Sequence, residues 1–353
     1  LHSYNRDPVF QSWTADIVVG PVPYPPIFAW ALRPFTWLSP PLSFALWYCL
    51  NMALALVIGW RLAGHSGSWD RSTIMLLFLG SYPVVLNLYV GQIQILLAWF
   101  VAEFYLALRA GKEFQSGIWL GCLLLKPHYG LLLGLLLLWK QRWHAVFGAA
   151  TAGGVIVGGS LLAAGVGGVL AYPSAFSGMA QFRGDDPAIM INWRSVTLDM
   201  YPSIYRKSGM LLTLALAAAT LFLLAWVWRG QWNPQSADFP VKILLTLLGT
   251  LIASFHSHSY GAVLLAMPLV VVLSSGQFGK PAWWVIGFGV VVPTLILELG
   301  YSEGPTNAEF HTHLMLASQL LKMVLFAMFG YFYLRLRRLA VVETDMTGMS
   351  KRV

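Results

Sequence analysis

Uncharged apolar runs of helix length recur along this chain, beginning with PPLSFALWYCLNMALALVIGW at residues 40–60. As a helix rising about 1.5 Å per residue, such a run crosses the roughly 30 Å hydrocarbon core of a bilayer. With 58% hydrophobic and 10% charged residues and a mean hydropathy of +0.66, the chain has too few polar side chains to cover a water-facing surface. The runs are continuous and not alternating, so the spans are helices and not barrel strands. The excess of 22 Lys+Arg over 14 Asp+Glu then reports orientation, because basic residues collect in cytoplasmic loops. No basic run interleaves with aromatics as a nucleic-acid surface would require.

Full spans are expected near residues 40–60, 72–88, 92–109, 145–170, 209–229, 242–256, 260–275, 282–300 and 313–334. Six basic clusters fall in the connectors: Arg61/Arg71, Arg109/Lys112, Lys140/Arg142, Arg229/Lys242, Lys280 and Arg335/Arg337/Arg338. All six lie on the cytoplasmic side only if residues 117–139 do not cross the membrane. That stretch is interrupted at Lys126-Pro127, where proline removes a helix hydrogen bond and drives the preceding residue out of the helical region. It is therefore read as a re-entrant pair of half-helices. The expected fold class is all-α and polytopic, with nine full spans plus one re-entrant half-helix pair. Residues 1–39 form an extracytoplasmic loop and juxtamembrane helix, 40–339 one membrane domain containing a large extracytoplasmic loop at 171–208, and 340–353 a disordered cytoplasmic tail. Cys49 and Cys122 sit inside apolar runs as packing residues, and no disulfide framework is possible.

Polar residues gather at the opposite side from the basic loops. Gly91, Gln92 and Gln94 occupy the tip of an otherwise apolar hairpin. Lys126, His128 and Tyr129 meet at the helix break, where an ammonium and the free amides of a helix start suit a phosphate; pairing with a carboxylate from a neighbouring span is the structural alternative. The loop at 180–203 brings Arg183, Asp185, Asp186, Asn192, Arg194 and Asp199, either as a functional set or as charges paired among themselves. His256, His258, His311 and His313 form two H-x-H pairs that chelate a metal only where the chain is extended, and otherwise contact phosphate or sugar. The residues YPPIFAW at 24–30, with Tyr24, Pro25 and Pro26, start an interfacial helix over 27–38 that either anchors the chain or walls a lipid-substrate groove. Glu103 and Glu298 lie near enough to span ends to pair, whereas Lys322 falls nearer mid-span.

YPPIFAW, then PVVLNLYVGQIQILL, then LKPHYG before the basic WKQRW loop resembles the C-type glycosyltransferase superfamily, and within it glycosyltransferase family 87, the polyprenol-phosphate-mannose-dependent mannosyltransferase-like proteins. The resemblance covers roughly residues 4–145. It implies inverting transfer of a sugar, mannose or a related one, from a polyprenyl phosphate donor to a lipid or glycan acceptor at the extracytoplasmic face. It implies no nucleotide sugar and no required cofactor, and leaves a divalent metal open; the partners are membrane lipids and the lipid-linked substrates, not nucleic acid. Gln92, Lys126, His128, Arg194, His256 and His258 become candidates for binding donor phosphate or sugar, and Tyr24, Pro25 and Pro26 candidates for the groove. Families of this type carry the catalytic acidic residue in the first outward loop, just after a first span. SYNRDPVF at residues 3–10 matches the later part of that loop, so the expected base lies upstream of Leu1, with Asp7 and Asp16 as the candidates within the chain. The competing functions are a transporter or flippase of lipid-linked glycan, which paired broken helices in two homologous halves would favour, and a non-catalytic subunit of a glycan assembly complex.

Overall fold

The computed structural model describes residues 24–65, 67, 69–179, 189–200, 208–276, 281–302 and 308–350. Regular structure among them is helical, apart from one isolated bridge between Met190 and His258. Pro25 is extended and Pro26 opens α1 (Pro26–Ala31); a 3-10 turn, Arg33–Trp37, follows, with Trp30 and Trp37 exposed. The helix expected over 27–38 thus forms as two short pieces. α2 (Pro40–Ala63) begins on two prolines, whose missing N–H groups do no harm in a first helical turn. It turns Leu42, Phe44, Leu46, Leu50 and Leu56 outward, as does Cys49, which is exposed and not packed in the core. Such faces are tolerable only against lipid.

The span expected over 72–88 is broken. α3 (Arg71–Leu79) and α4 (Tyr82–Val90) are bent by 45° at Gly80–Ser81. Pro83 has no N–H for the carbonyl of Leu79, and its ring would clash there in a straight helix. Gly91 then takes a left-handed conformation (φ 68°) and reverses the chain into α5 (Gln94–Arg109). Within α5, Glu103 pairs with Arg61 at 2.7 Å and accepts a hydrogen bond from the Trp99 indole.

α6 (Glu113–Cys122) and α7 (Pro127–Trp139) flank a 3-10 turn, Leu123–Leu125, and Lys126 between them is extended (φ −138°, ψ 83°). The chain doubles back here, because Glu113 at the start of α6 forms an ion pair with Arg142 just beyond α7. α8 (Trp143–Met179), which breaks at Gly165, lies against α6 and runs in the same direction: Gly117 meets Ala145, Gly121 meets Ala149 and Ala152, and Leu124 meets Gly153. These backbones are too close for larger residues, since a Cβ on Gly117 would fall 1.9 Å from the Ala145 carbonyl oxygen. Small residues at four-residue spacing are how helices pack in lipid, where no hydrophobic effect draws them together.

α9 (Trp193–Met200), α10 (Met210–Val227), α11 (Phe239–Ala253), a 3-10 turn (Ser259–Leu265), α12 (Ala266–Ser274), α13 (Pro281–Ile286), a π turn (Gly287–Val291), α14 (Val292–Ser302) and α15 (Ala308–Ser350) complete the order. α15 continues past residue 339, where composition leads to the expectation of a disordered tail. Basic connectors gather at one end of the bundle, called the basic end below. Arg109 donates to the Pro234 carbonyl, Gln235 donates to the Arg109 carbonyl, and Lys140 donates to the Gly230 carbonyl at 2.8 Å.

The chain is a multi-pass membrane protein. Among the described residues four helices are long and apolar enough to cross a bilayer (Pro40–Ala63, Trp143–Pro173, Met210–Val227 and Phe310–Arg338), and the bent α3–α4 pair makes a fifth. Nine full spans are expected from hydropathy alone; the remaining apolar segments form shorter helices. α11, at 15 residues, is nearly all buried by its neighbours. A helix sheathed in protein need not match the bilayer thickness.

The α6–α8 contact yields a direct test. Gly121→Leu should destabilise the protein by about 1–3 kcal/mol, because its Cβ would lie 2.6 Å from the Ala149 carbonyl oxygen. Gly134→Ala, where nothing lies within 4 Å of the added Cβ, should be neutral or stabilising by up to about 1 kcal/mol. Thermal unfolding of both variants in detergent checks the contrast, and equal behaviour would contradict the close approach.

Candidate functional site

The hairpin tip is stitched together by one side chain. Asn87, wholly buried at the end of α4, donates from Nδ2 to the Gln92 carbonyl and accepts from the Gln94 backbone N–H, both at 3.1 Å. The Trp47 indole of α2 donates to the Gly91 carbonyl at 2.9 Å. With the backbone held on both sides, the Gln92 side chain projects toward the break between α6 and α7.

There it meets Lys126. The ammonium donates to Gln92 Oε1 at 3.1 Å, and the Tyr24 hydroxyl donates to the same oxygen at 3.1 Å. Lys126 is 7% exposed, and its Nζ stands 5.1 Å from the centre of the Tyr24 ring and 5.6 Å from that of Tyr260. Two aromatic faces and one amide oxygen therefore surround the charge. Among the described residues no carboxylate, the alternative left open by the sequence, contacts Lys126. Ion pairs between described residues join Arg61 to Glu103, Glu113 to Arg142 and His144, and Lys242 to Asp238. Each includes a residue of the basic connectors or of the helix ends beside them.

The histidines cluster around this core. His128 follows Lys126 by two residues, its ring centre is 4.1 Å from that of Tyr129, and it lies within electrostatic range of Lys126, His256 and His258. The His256 and His258 rings meet edge to face at 4.6 Å, and His258 lies 5.2 Å from Tyr260. The segment is locally extended, since Ser254 and His258 both have β backbone angles. Among the described residues no three His, Cys, Asp or Glu side chains come close enough to hold a metal.

Residues 189–192 are pinned to the same extended segment. Ile191 N–H donates to the Ser257 carbonyl at 2.9 Å, Asn192 to the Phe255 carbonyl at 3.1 Å and Ser259 to the Ile189 carbonyl at 3.2 Å. This places Arg194, 9% exposed, with its guanidinium 4.4 Å over the Phe255 ring. Lys322, buried in α15, reaches the next residue and donates to Ser195 Oγ at 2.7 Å.

Tyr24, Gln92, Lys126, His128, His256 and His258 therefore converge, and Arg194 flanks them through Phe255. Pro25 and Pro26 set the entry to α1, which seats Ile27 on Gly159 and donates from the Ile27 N–H to Ser160 Oγ at 3.2 Å. Gln94 is wholly buried behind the tip, beside Tyr129. Asp7, Asp16, Arg183, Asp185 and Asp186 lie outside the described residues. Sequence reasoning missed Asn87, Tyr260 and Ser195. Asn87 had a signal, since an amide inside an apolar run marks a special position in a membrane helix; Tyr260 and Ser195 had none beyond adjacency to His258 and Arg194.

The family model described as glycosyltransferase family 87 matches residues 23–255, about two thirds of the chain. No curated protein and no solved structure matches it. The matched region carries Tyr24, Asn87, Gln92, Lys126, His128 and Arg194, and it ends at Phe255, on which Arg194 stacks. The chain belongs to glycosyltransferase family 87 and is a membrane-embedded glycosyltransferase.

Proposed function

We propose that the chain transfers a sugar, mannose or a related hexose, from a polyprenyl phosphate donor to a lipid or glycan acceptor, with inversion, on the face of the membrane away from its basic loops. The observation that carries this reading is the buried Lys126 ammonium at a helix break, held by the neutral groups Gln92 and Tyr24. With no carboxylate among the described residues in contact, the charge is available to an anion.

In this reading the donor phosphate displaces Gln92 Oε1 or shares Lys126 with it. Electrostatic stabilisation of the departing phosphate is strong because the surroundings exclude water. Gln92 and Tyr24 then bind phosphate or sugar, and His128, His256 and His258 line the same recess. Arg194, on the other side of the histidine ridge, clamps a further oxygen of donor or acceptor. Inverting transfer also needs a carboxylate to take the acceptor's proton. Asp7 is a candidate for that role or a neighbour of the group that fills it. α6 and α7 act as a re-entrant pair whose tip presents Lys126, an irregular backbone tolerated at membrane depth because protein surrounds it.

Three measurements test this reading. In proteoliposomes supplied with a polyprenyl phosphate sugar, Lys126→Met should lower transfer by about a hundredfold or more at near-normal expression, and Gln92→Ala by less, about fivefold. Lys126→Met activity within about twofold of the parent would remove Lys126 from the reaction.

Asn87→Leu should lower transfer about tenfold by releasing the Gln92 turn. Its effect should largely vanish in a Gln92→Ala background, as a double-mutant cycle would show. Full additivity would mean that Asn87 acts only on stability.

Topology is the third. With Cys49 and Cys122 replaced, a cysteine at exposed Thr312 should react with an impermeant reagent from outside and one at exposed Gln141 should not. The reverse pattern would put the site on the cytoplasmic face.

A further inference from the structure

α15 meets the rest of the bundle along one ridge of residues spaced four apart, Leu314, Ser318, Lys322 and Phe326. The buried Tyr82 hydroxyl donates to the Leu314 carbonyl at 3.4 Å and lies 2.7 Å from Ser318 Oγ. One turn on, Lys322 donates to Ser195 Oγ at 2.7 Å, and one turn further the Phe326 ring stands edge to face with Trp193 at 4.3 Å. Lys322 falls near the middle of the Phe310–Arg338 span and is 5% exposed. An ammonium at that depth is costly and marks a functional position. The reaction as read above makes no use of it.

The receiving element is the first turn of α9, where successive residues have separate anchors. Asn192 donates to the Phe255 carbonyl at 3.1 Å and caps the helix by accepting from the Ser195 N–H at 3.0 Å. The Trp193 indole donates to Thr220 Oγ1 of α10 at 2.9 Å, and Thr197 meets Thr213 Oγ1 of the same helix at 2.8 Å. Consecutive helix residues point about 100° apart. Fixing Trp193 on α10 and Ser195 on α15 therefore fixes the direction in which Arg194, between them, leaves the helix. It leaves toward Phe255, with its guanidinium 4.4 Å over that ring. A charged donor makes a stronger hydrogen bond than a neutral one, and the long lysine stem reaches α9 from the neighbouring helix. Lys322 and Phe326 both lie beyond residue 255, where the family match ends.

We propose that Lys322 is a positioning residue for Arg194. Through Ser195 it sets the rotation of the first turn of α9, and with it the place of the guanidinium that clamps an oxygen of donor or acceptor. This role rests on the reading of Arg194 as a substrate ligand.

Two experiments on the full chain separate the role from that reading. In detergent, arginines are modified with phenylglyoxal and followed by peptide mass spectrometry, with no turnover needed. Arg194 should react about fivefold faster in Ser195→Ala and in Lys322→Met than in the parent, while half-buried Arg109 at the basic end keeps the parent's rate. An unchanged Arg194 rate in both variants overturns the proposal, and so does an equal rise at Arg109, which would reduce Lys322 to general stability. In proteoliposomes supplied with a polyprenyl phosphate sugar, either substitution should lower kcat/KM about tenfold, but less than about twofold in an Arg194→Gln background. Additive losses overturn the proposal. So does a loss in Lys322→Met that Ser195→Ala does not share, which would put the ammonium itself on a substrate. If the modification rates change as expected while Arg194→Gln transfers sugar at the parent's rate, Lys322 still positions Arg194, and the reading of Arg194 as a ligand is what falls.

Discussion

A single ammonium group, buried where four separate segments meet, organises one end of this protein. A charge removed from water is tolerable only when dipoles and polarisable faces replace its hydration. Lys126 finds these in Gln92 Oε1 and in the rings of Tyr24 and Tyr260. Each of those groups must be delivered by its own piece of backbone: α1 and its proline entry for Tyr24, the Asn87-stitched tip for Gln92, and the extended run after α11 for Tyr260. The interruptions in the helices are thus the means by which polar groups reach membrane depth without leaving backbone unsatisfied.

Neutral partners are chemically consequential. A carboxylate on Lys126 would cancel its charge and compete with a phosphate, whereas an amide oxygen and a phenol hydroxyl orient the ammonium and can be displaced or shared. The histidines lie between Lys126 and Arg194, which the hydrogen bonds of residues 189–192 hold on Phe255. At the basic end the logic is reversed, with Arg61, Arg142 and Lys242 each closed against a carboxylate. Among the described residues, Lys126 therefore meets neutral groups at one end, whereas these cations meet carboxylates at the other.

Two packing regimes support this division. The outward faces of α2 and α8 present large apolar side chains to lipid, while α6 and α8 approach through glycine and alanine until backbone touches backbone. That close contact holds the α6–α7 pair upright from one side, and the nearly wholly buried α11 fills the interior.

Much of this was legible in the chain itself. The helical membrane fold follows from apolar runs that no soluble surface could cover, the break at Lys126 from the geometry of proline, and the gathering of Gln92, Lys126 and the histidines from their shared side of the charge pattern. The sequence determined these features because each rests on local chemistry: hydropathy, the missing N–H of proline, and the sign of charge. Tertiary structure alone decided which apolar segments are sheathed by neighbours and which present an exposed face, since the two have the same composition. It also decided which partner Lys126 takes, that Asn87 aims Gln92, and that Gln94 turns inward, because contacts between residues tens or hundreds of positions apart leave no trace in local periodicity.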